Sequence, residues 1–389
     1  MAGSIHDILR PITFTKLISR AAAASSQFLN FMGFQPGGPR EKNYGHGREG
    51  SYSIFNNVRT VALGTAPGAP AARRGRNPTG RVPFVYPRMH QSLPLLYEEI
   101  NAFAKIDDPR TRDEAGASYI QRQTAIMGQE AANWRTAMTV GMLRDSLYVH
   151  ESGLNWYPDY TSTSAVYQIN FQLPAGNKSQ LNILDKDDST SINGSAIIDV
   201  PWSSPGANIP LHINKVDSAL FRRCGVHLKT LVMRTGQWEN VCNNDAVVSG
   251  AGIANPPFKT YTRQVGDNPD GSPFMARFGE ITKCPGIEFM INDEGVDLGN
   301  PASSPTWTYH LEDAGVLFLP EITNALFEGL IANEPIVEKD GGEMSMKAGN
   351  ASWSVLRANP SMYECFNLDN FIPIPYNPGS WCYGTVSGF

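Results

Sequence analysis

The sequence lacks long hydrophobic runs and has little cysteine. No apolar run comes near the roughly 18 to 20 residues that a transmembrane helix needs, so we expect no membrane span. Five cysteines are scattered through 389 residues, and no two of them form a C-x-x-C pair. This pattern argues against a disulfide scaffold or a zinc site and indicates reduced, buried thiols in a cytoplasm-like compartment. With 41% hydrophobic and 18% charged residues, the composition also excludes disordered and fibrous proteins.

The sequence also lacks the short motifs of common catalytic and cofactor sites. No G-x-S-x-G, H-E-x-x-H or G-K-[ST] is present. The stretch GAGIAN from Gly250 has no third glycine, so it does not predict a dinucleotide site. Asp185, Asp187 and Asp188 lack the glycine and the closing glutamate of a calcium loop. We therefore expect no catalytic, cofactor-binding or metal-binding residues. An unrecognised hydrolase is the enzyme alternative, and it would need a cleft of carboxylates or histidines with shifted pKa values.

Charge is unevenly distributed along the chain. The first 110 residues hold 14 Lys or Arg against 7 Asp or Glu, a net charge of +7, and since the whole chain carries −5, the remainder carries −12. Such asymmetry suits binding to a polyanion. It equally suits contact between the basic end of one copy and the acidic body of another.

Residues 115–148 predict a single long helix. The stretch contains no proline, consists largely of helix formers, and places apolar residues at steps of seven and four. These residues are Ile120, Met127, Trp134, Met138 and Met142. At 1.5 Å per residue the helix would be roughly 50 Å long, with Gly153 as its C-cap. We expect a helix of this length to support several parts of the chain, which would pack on Trp134, Met127 and Met138.

The segment before residue 35 predicts a short amphipathic helix on a loose tether. Apolar residues between Leu17 and Phe31 fall on one helical face, whereas residues 35–50 are rich in Gly, Pro and charge. We therefore expect an arm that buries its apolar face on some other surface. The segment lacks the continuous apolar core of a secretory signal, and a mitochondrial transit peptide is the alternative.

Residues 51–63 and 82–89 predict two strands of an extended ribbon, because they are rich in β-branched and aromatic residues. Two strands alone are only marginally stable in water, so the ribbon must lie on something else. Its tip is dense in Pro and Gly and carries Arg73, Arg74, Arg76 and Arg81. We expect these arginines to contact carboxylates of another subunit. Nucleic acid is the alternative, disfavoured because no aromatic residues are interleaved with the arginines.

After the long helix the pattern is mainly β, with one compact α/β block. This block comprises a helix over 210–224 that stops at Gly225, a buried strand over 228–233 and a helix capped by Thr235. Other strands are predicted over 165–173, 180–188, 287–292, 296–298, 315–320, 352–356, 362–368 and 371–376. The two strands on either side of Asp293 to Gly295 are expected to form a hairpin.

The order of these elements resembles a known family. The most specific stretches are EAANWRTAMTVGMLRDSLYV at the end of the long helix, YQINFQLPAGNKSQLNIL after it, and PLHINKVDSALFRRCGVHLKTLVMRTGQWENVCNN in the α/β block. With GVLFLP and FIPIPYNPGSWCYGTV, they resemble the major capsid proteins of lambda-like tailed bacteriophages, the phage major capsid protein E family with the Hong Kong 97-type fold. The resemblance covers nearly the whole chain and rests on packing patterns.

The resemblance implies an α+β fold divided into five segments. These are an N-terminal arm over 1–50, an extended E-loop over 51–95, a P-domain over 96–200 that contains the spine helix, an A-domain over 201–344, and C-terminal P-domain strands over 345–389. In this division Arg73, Arg74, Arg76 and Arg81 lie at the E-loop tip.

The resemblance also implies a structural role, with no enzyme activity and no cofactor. Family members self-assemble into hexamers and pentamers of an icosahedral shell that encloses double-stranded DNA. The implied location is the virion, with assembly in the host cytoplasm. The implied partners are further copies, a portal, a separate scaffolding protein, a decoration protein and, through non-specific contacts, the packaged DNA. No cross-linking lysine, asparagine and acid are recognisable, so non-covalent assembly is expected. An encapsulin-like bacterial compartment is the alternative.

Overall fold

The computed structural model describes most of the chain. The described residues are 16–19, 21–22, 26–46, 49–55, 79–96, 98, 109–145, 147–152, 155–160, 167–179, 181, 197–249, 256–267, 273–297, 307–337, 344–347, 350–358 and 361–388. Within these ranges, no helix has the length and apolar character needed to span a membrane.

Helices and strands alternate irregularly along the chain. The α-helices are α1 (Gln27–Met32), α2 (Pro109–Arg144), α3 (Ile209–Cys224), α4 (Thr235–Cys242) and α5 (Asp245–Val248). Residues 16–19 and 21–22 are also helical, and Ala175–Asn177 and Pro378–Ser380 form short 3-10 helices. The strands are β1 (Glu41–His46), β2 (Glu49–Phe55), β3 (Thr79–Val85), β4 (Met89–Leu96), β5 (Leu147–Ser152), β6 (Asn155–Asp159), β7 (Tyr167–Ile169), β8 (Lys178–Ser179), β9 (Leu228–Met233), β10 (Phe258–Asp267), β11 (Pro273–Ile281), β12 (Glu288–Ile291), β13 (Gly295–Asp297), β14 (Trp307–Tyr309), β15 (Gly315–Pro320), β16 (Phe327–Val337), β17 (Met344–Lys347), β18 (Asn350–Ala358), β19 (Ser361–Asp369), β20 (Phe371–Pro375) and β21 (Cys382–Thr385).

The long helix α2 is confirmed, with different ends. It begins earlier than predicted, at Pro109, whose missing N–H and fixed φ suit the first turn of a helix. It ends at Arg144, so Gly153 is not its cap. The chain leaves the helix at Asp145, which has a left-handed φ of 51° that Asp tolerates better than most residues. The Asp145 carboxylate accepts a hydrogen bond from the backbone N–H of Phe171 at 3.0 Å, which helps to hold this turn.

Two glycines in α2 lie where other segments come closest to the helix. A Cβ on Gly128 would lie 2.6 Å from the Cβ of Ala21 and 2.7 Å from the carbonyl oxygen of Ile18. A Cβ on Gly141 would lie 2.7 Å from the Cβ of Leu147. Glycine lowers helix stability by roughly 0.5–1 kcal/mol relative to alanine. Here it allows the N-terminal helical residues and β5 to approach the α2 backbone.

The predicted α/β block is confirmed and forms around a seven-stranded sheet. The strand order is β10-β11-β12-β9-β15-β21-β8, with β9 parallel to β12 and antiparallel to β15. Ile213 of α3 and Trp238 of α4 pack in one apolar cluster with Leu231 and Phe318 of the sheet. Helix α3 stops at Gly225, which has a left-handed φ of 73°.

Two local predictions in this unit are wrong, and Asp293 is involved in both. Thr235 does not cap α4. Its N–H and hydroxyl instead donate to the Asp293 carboxylate, and Arg234 takes the N-cap position. The strands on either side of Asp293 do not pair with each other either. Strand β12 pairs with β9 and β11, whereas β13 pairs with β14, because the chain leaves the sheet at Asp293.

The remaining sheets are small. They are β1-β16-β17 with β20 on β16, β18-β19-β4, β6-β5-β7, β2-β3 and β13-β14. The predicted C-terminal strands are confirmed as β18, β19 and β20. The strand predicted over 165–173 is reduced to β7, and nearly all of 180–188 lies outside the described residues.

The prediction of a loosely tethered arm is wrong for the described part of residues 1–50. Phe28, Leu29, Met32 and Phe34 are buried in the same apolar cluster as the C-terminal half of α2. Strand β1 pairs in parallel with β16. Within the stretch that suggested a tether, Pro36 to Pro39 form a tight turn instead. Gly37 has a left-handed φ of 74°, and the N–H of Gly38 donates to the carbonyl oxygen of Gln35 at 2.7 Å. The arm therefore buries its apolar face on its own chain.

We predict that Gly128→Ala destabilises the protein, although alanine is the better helix former. The added Cβ overpacks the contact with Ala21, which should lower the free energy of unfolding by about 1–3 kcal/mol in chemical denaturation. Gly236→Ala is the matched control, because a Cβ at this position in α4 meets nothing within 4 Å. A Gly128→Ala protein as stable as the wild type would show that the helical residues before α1 do not pack here.

Candidate functional site

A buried guanidinium joins three distant segments of the chain. Arg135, in the C-terminal half of α2, is 0% exposed. Its Nε and Nη2 donate to the two carboxylate oxygens of Asp369 at 2.5 and 2.9 Å. Its Nη1 donates to the carbonyl oxygen of Phe34 at 3.0 Å and to the carboxylate of Glu41. The guanidinium also lies over the Phe371 ring, 4.6 Å from the centroid. One side chain thus ties the long helix to the arm and to the C-terminal strands.

The Arg135 contacts fix geometry more than they add stability. Burial alone disfavours the charged form, but Asp369 and Glu41 outweigh it and raise the pKa of Arg135 above its ordinary value. A bidentate pair with a carboxylate holds both groups in one orientation. Buried ion pairs contribute little net stability, yet removing one partner is costly because it leaves an uncompensated charge. The arm and the C-terminal strands are therefore confined to one placement against α2.

A second contact ties the arm to the seven-stranded unit. Glu294 follows β12, and its carboxylate accepts hydrogen bonds from the Oγ of Ser26 at 2.9 Å and from the backbone N–H groups of Gln27 and Phe28. Ser26 is the N-cap of α1, and its Oγ accepts from the N–H of Leu29. The carboxylate thus satisfies N–H groups that the first turn of a helix leaves free.

The C-terminal end of α2 is tied to the same unit. Arg144 donates to the carbonyl oxygen of His310 at 3.0 Å, pairs with Glu312, and lies over the Tyr160 ring. The Nδ1 of His310 is hydrogen-bonded to the Tyr160 hydroxyl at 3.1 Å. Burial, with a smaller effect of the Arg144 charge, lowers the pKa of His310 to about 4.

The predicted packing residues of α2 lie in two apolar clusters. Trp134 and Met138 belong to the largest one, which also contains residues of the arm, the ribbon and the C-terminal strands. Met127 belongs to a smaller cluster with Leu95 of β4 and Tyr363 of β19. All three residues are buried. Their role in holding the C-terminal strands on the helix stays a prediction.

The ribbon predicted from the sequence is present in its described part. Strands β2 and β3 pair antiparallel from Glu49 opposite Val85 to Phe55 opposite Thr79. Within the described ranges, neither strand pairs with a third. Tyr52, Ile54 and Phe84 are buried in the largest cluster and anchor the ribbon. The E-loop proposed from the resemblance extends to residue 95, whereas β4 already pairs with β19.

The ribbon arginines are only partly described. Arg81 lies within β3 and not at the tip where it was predicted. It is exposed, and its Nε donates to the Oγ of Ser51 on the facing strand at 2.7 Å. Arg73, Arg74 and Arg76 lie outside the described residues, so their contacts stay a prediction.

His212 has a carboxylate partner of the kind that a catalytic histidine uses, but both of its ring nitrogens are engaged in contacts within the fold. His212 is bonded through Nε2 to Asp199 at 2.9 Å, and its Nδ1 accepts from the indole N–H of Trp202 at 3.2 Å. Because an indole can only donate, Nε2 must carry the ring proton and donate to Asp199. No ring nitrogen is left to act as a base.

A pair of carboxylates on the seven-stranded sheet is likewise engaged. The hydroxyl of Tyr261 lies 3.2 Å from Glu280 and 3.1 Å from Glu288. Lys259 pairs with Glu280, and Arg263 pairs with Glu288. In the part of the chain that the structure describes, no three potential metal-ligating side chains come together.

Comparisons with known proteins give similarity at the level of solved structures. No protein-family model and no curated protein matches the sequence. A phage-related protein from Bordetella bronchiseptica RB50 is similar with a TM-score of 0.46 and 10% identity over 96% of both chains. The mature capsid of bacteriophage PhiM1 is similar with a TM-score of 0.41 and 8% identity over 90% of this chain and 86% of that one. The SrpI encapsulin from Synechococcus elongatus PCC 7942 is similar with a TM-score of 0.41 and 9% identity over 90% and 85%.

We predict that Arg135→Met lowers the free energy of unfolding by about 3–5 kcal/mol, because Asp369 is left buried without its partner. Urea denaturation measures the loss. The double variant Arg135→Met/Asp369→Leu should recover part of it, since both charges are then removed. A single variant that unfolds like the wild type would mean that Asp369 reaches water without Arg135.

We predict that His310 makes stability depend on pH between about 4 and 6.5. Its pKa is lowered in the folded state, so the unfolded chain binds the proton first and stability is lost as the pH falls through this window. The full loss is about 3 kcal/mol. His310→Gln should flatten the curve of unfolding free energy against pH, with His227→Gln at an exposed position as the matched control. An unchanged slope would exclude His310 as the titrating group.

Proposed function

We propose that the chain is a structural protein that self-assembles into a closed shell of the phage capsid type. The observation that carries the proposal is the β2–β3 ribbon. Its base is fixed in the core through Tyr52, Ile54 and Phe84, yet neither strand has a third strand as a partner within the described ranges. A two-stranded ribbon with open edges gains stability when a neighbour covers it.

Charge supports contact between copies. The ribbon belongs to the first 110 residues, which carry +7, while the rest of the chain carries −12. A basic extension on an acidic body gives a heterologous contact, and such contacts close into rings when the rotation between copies allows it. Individual exposed ion pairs contribute only about 0–1 kcal/mol, but they repeat around a closed assembly.

The internal contacts of the polar residues support a structural role over an enzymatic one. Both ring nitrogens of His212 are used, and Glu280 and Glu288 are paired with cations. Arg135 and Arg144 hold parts of the chain together. These groups are engaged in holding the fold, which is what a shell subunit requires.

The proposal extends to the domain division and to the partners. Residues 1–50 form the arm and 51–95 the E-loop, except that β4 belongs with the C-terminal strands because it pairs with β19. Residues 96–200 and 345–389 form the P-domain, and 201–344 the A-domain. The partners are further copies in hexamers and pentamers, with a portal, a scaffolding protein, a decoration protein and packaged double-stranded DNA, in a virion assembled in the host cytoplasm. An encapsulin-like compartment is the second candidate, and enzyme cargo inside purified shells would favour it over DNA.

Negative-stain electron microscopy of the purified, concentrated chain tests the proposal. We expect rings or shells, because the ribbon edges are covered only on association. Replacing Arg73, Arg74 and Arg76 with alanine should lower shell yield and its salt dependence while leaving the melting temperature of the monomer nearly unchanged. Static light scattering that shows a stable monomer at high concentration, with or without a scaffold, would contradict the proposal. Normal empty shells with poor DNA retention would instead assign the three arginines to DNA.

A further inference from the structure

An aromatic pair is exposed beside the seven-stranded unit. Trp307 and Tyr309 of β14 are 61% and 40% exposed. Their rings meet edge to face with centroids 6.1 Å apart. Trp307 lies over Gly295 on the paired strand, where a Cβ would come within 2.8 Å of the indole nitrogen. Trp and Tyr are the side chains most enriched at the energetic centres of protein interfaces, so this pair marks a candidate contact surface.

The same surface already binds one guanidinium from its own chain. Arg234 lies over the Tyr309 ring with its Cζ 3.6 Å from the centroid. The guanidinium pairs with Asp313, and its Nε lies 3.6 Å from a carboxylate oxygen of Asp293. An aromatic face flanked by carboxylates suits arginine, because the planar cation stacks on the ring while its N–H groups reach the carboxylates.

The surface retains negative charge and aromatic area beyond what Arg234 uses. The side chains of Asp313 and Asp293 are 88% and 46% exposed, and they share the cation of Arg234. In the described part of the chain no cation lies over Trp307, which presents the larger aromatic face. We call the surface formed by Trp307, Tyr309, Asp293 and Asp313 the aromatic-acidic patch.

We propose that the aromatic-acidic patch binds the ribbon tip, residues 56–78, of a second copy of this chain. The inference rests on the proposed function and names the surface that receives the ribbon. The tip joins β2 to β3 and carries Arg59, Arg73, Arg74 and Arg76 with no acidic residue. Its guanidinium groups repeat on Trp307 the contact that Arg234 makes on Tyr309.

The charge of the patch favours the ribbon tip over nucleic acid as its binding partner. Asp293 and Asp313 outnumber the cation that they share, Arg234, so the patch carries net negative charge. This charge repels phosphate groups and attracts a segment that carries only positive charge. Association should depend on salt, because the rim charges are exposed. Trp307 in the centre should contribute more than any single carboxylate at the rim.

Cross-linking between two singly substituted full-length proteins tests the contact. Arg74→Cys and Asp313→Cys proteins are mixed before assembly and treated with a short bifunctional thiol reagent. We expect a covalent dimer at a yield at least about tenfold above that of the control mixture, in which Asp267→Cys replaces Asp313→Cys. Asp267 is exposed and ends strand β10 at the far edge of the seven-stranded sheet. The Arg74→Cys protein alone measures the background from native thiols.

A second measurement addresses the aromatic centre. Trp307→Ala should raise the protein concentration needed for assembly by about tenfold or more. Leu356→Ala, at another exposed apolar position, should leave that concentration unchanged.

The outcomes separate this inference from the proposed function. Shells that form normally without a preferential cross-link would overturn the patch as the receptor and leave the shell function intact. A cross-link in the doubly substituted chain but not in the mixture would assign the patch to the ribbon tip of the same copy. Dimers that disappear after nuclease treatment would assign the arginines to nucleic acid. A chain that never assembles would overturn both proposals.

Discussion

The fold depends on one constraint, the permanent charge of Arg135 in an interior that excludes water. A guanidinium at this depth requires carboxylate and carbonyl partners, and they come from residues 94 and 234 positions away, Glu41 and Asp369. Because these partners belong to the arm and to the C-terminal strands, both ends of the chain are held against the long helix. The apolar cluster around Trp134 and Phe371 then closes over the pair. Both chain ends keep this placement against α2 because leaving the buried charge of Arg135 unpaired would cost free energy.

The same constraint separates segments whose apolar faces and strand edges are covered within the chain from one segment, the ribbon, whose edges are not covered in the described part of the chain. The contacts of the described arm residues are made within the chain. Phe28 and Phe34 are buried, β1 pairs with β16, and Glu294 caps α1. One face of the seven-stranded sheet packs on α3 and α4. The other face, with Phe278 and Leu317, packs in the largest cluster together with the arm and α2. The ribbon differs from these segments. Its base is packed in the core, while within the described ranges neither of its strands pairs with a third strand. A rigid anchor with open edges favours binding between copies, since little freedom is lost when a neighbour docks.

The local sequence pattern predicted most helices and strands correctly, but it did not predict which of them pack or pair with each other. The heptad-like spacing in α2, the apolar residues of β9 and β15, and the stop at Gly225 are local signals, and each predicted an element that the structure contains. The tether was wrong because glycine and proline build tight turns as well as linkers. The hairpin at Asp293 was wrong because both edges of β12 are taken by β9 and β11. Arg135 carried a weak signal as the one charge among residues 131–143, but no spacing rule identifies Glu41 or Asp369. Trp307 reads as an ordinary strand residue, because only the three-dimensional structure reveals its exposure.

We propose that the contacts of the arm are completed within one chain, whereas those of the ribbon are completed by a neighbouring chain. Amide hydrogen exchange on the same protein before and after assembly measures both parts directly. We expect the amides of α1 and β1 to be protected in the isolated chain and to change little. The amides of β2 and β3 that face the open edges of the ribbon should become protected only after assembly, whereas those paired across the ribbon are protected throughout. Protection of the edge amides already in the isolated chain, or no change on assembly, would contradict this division.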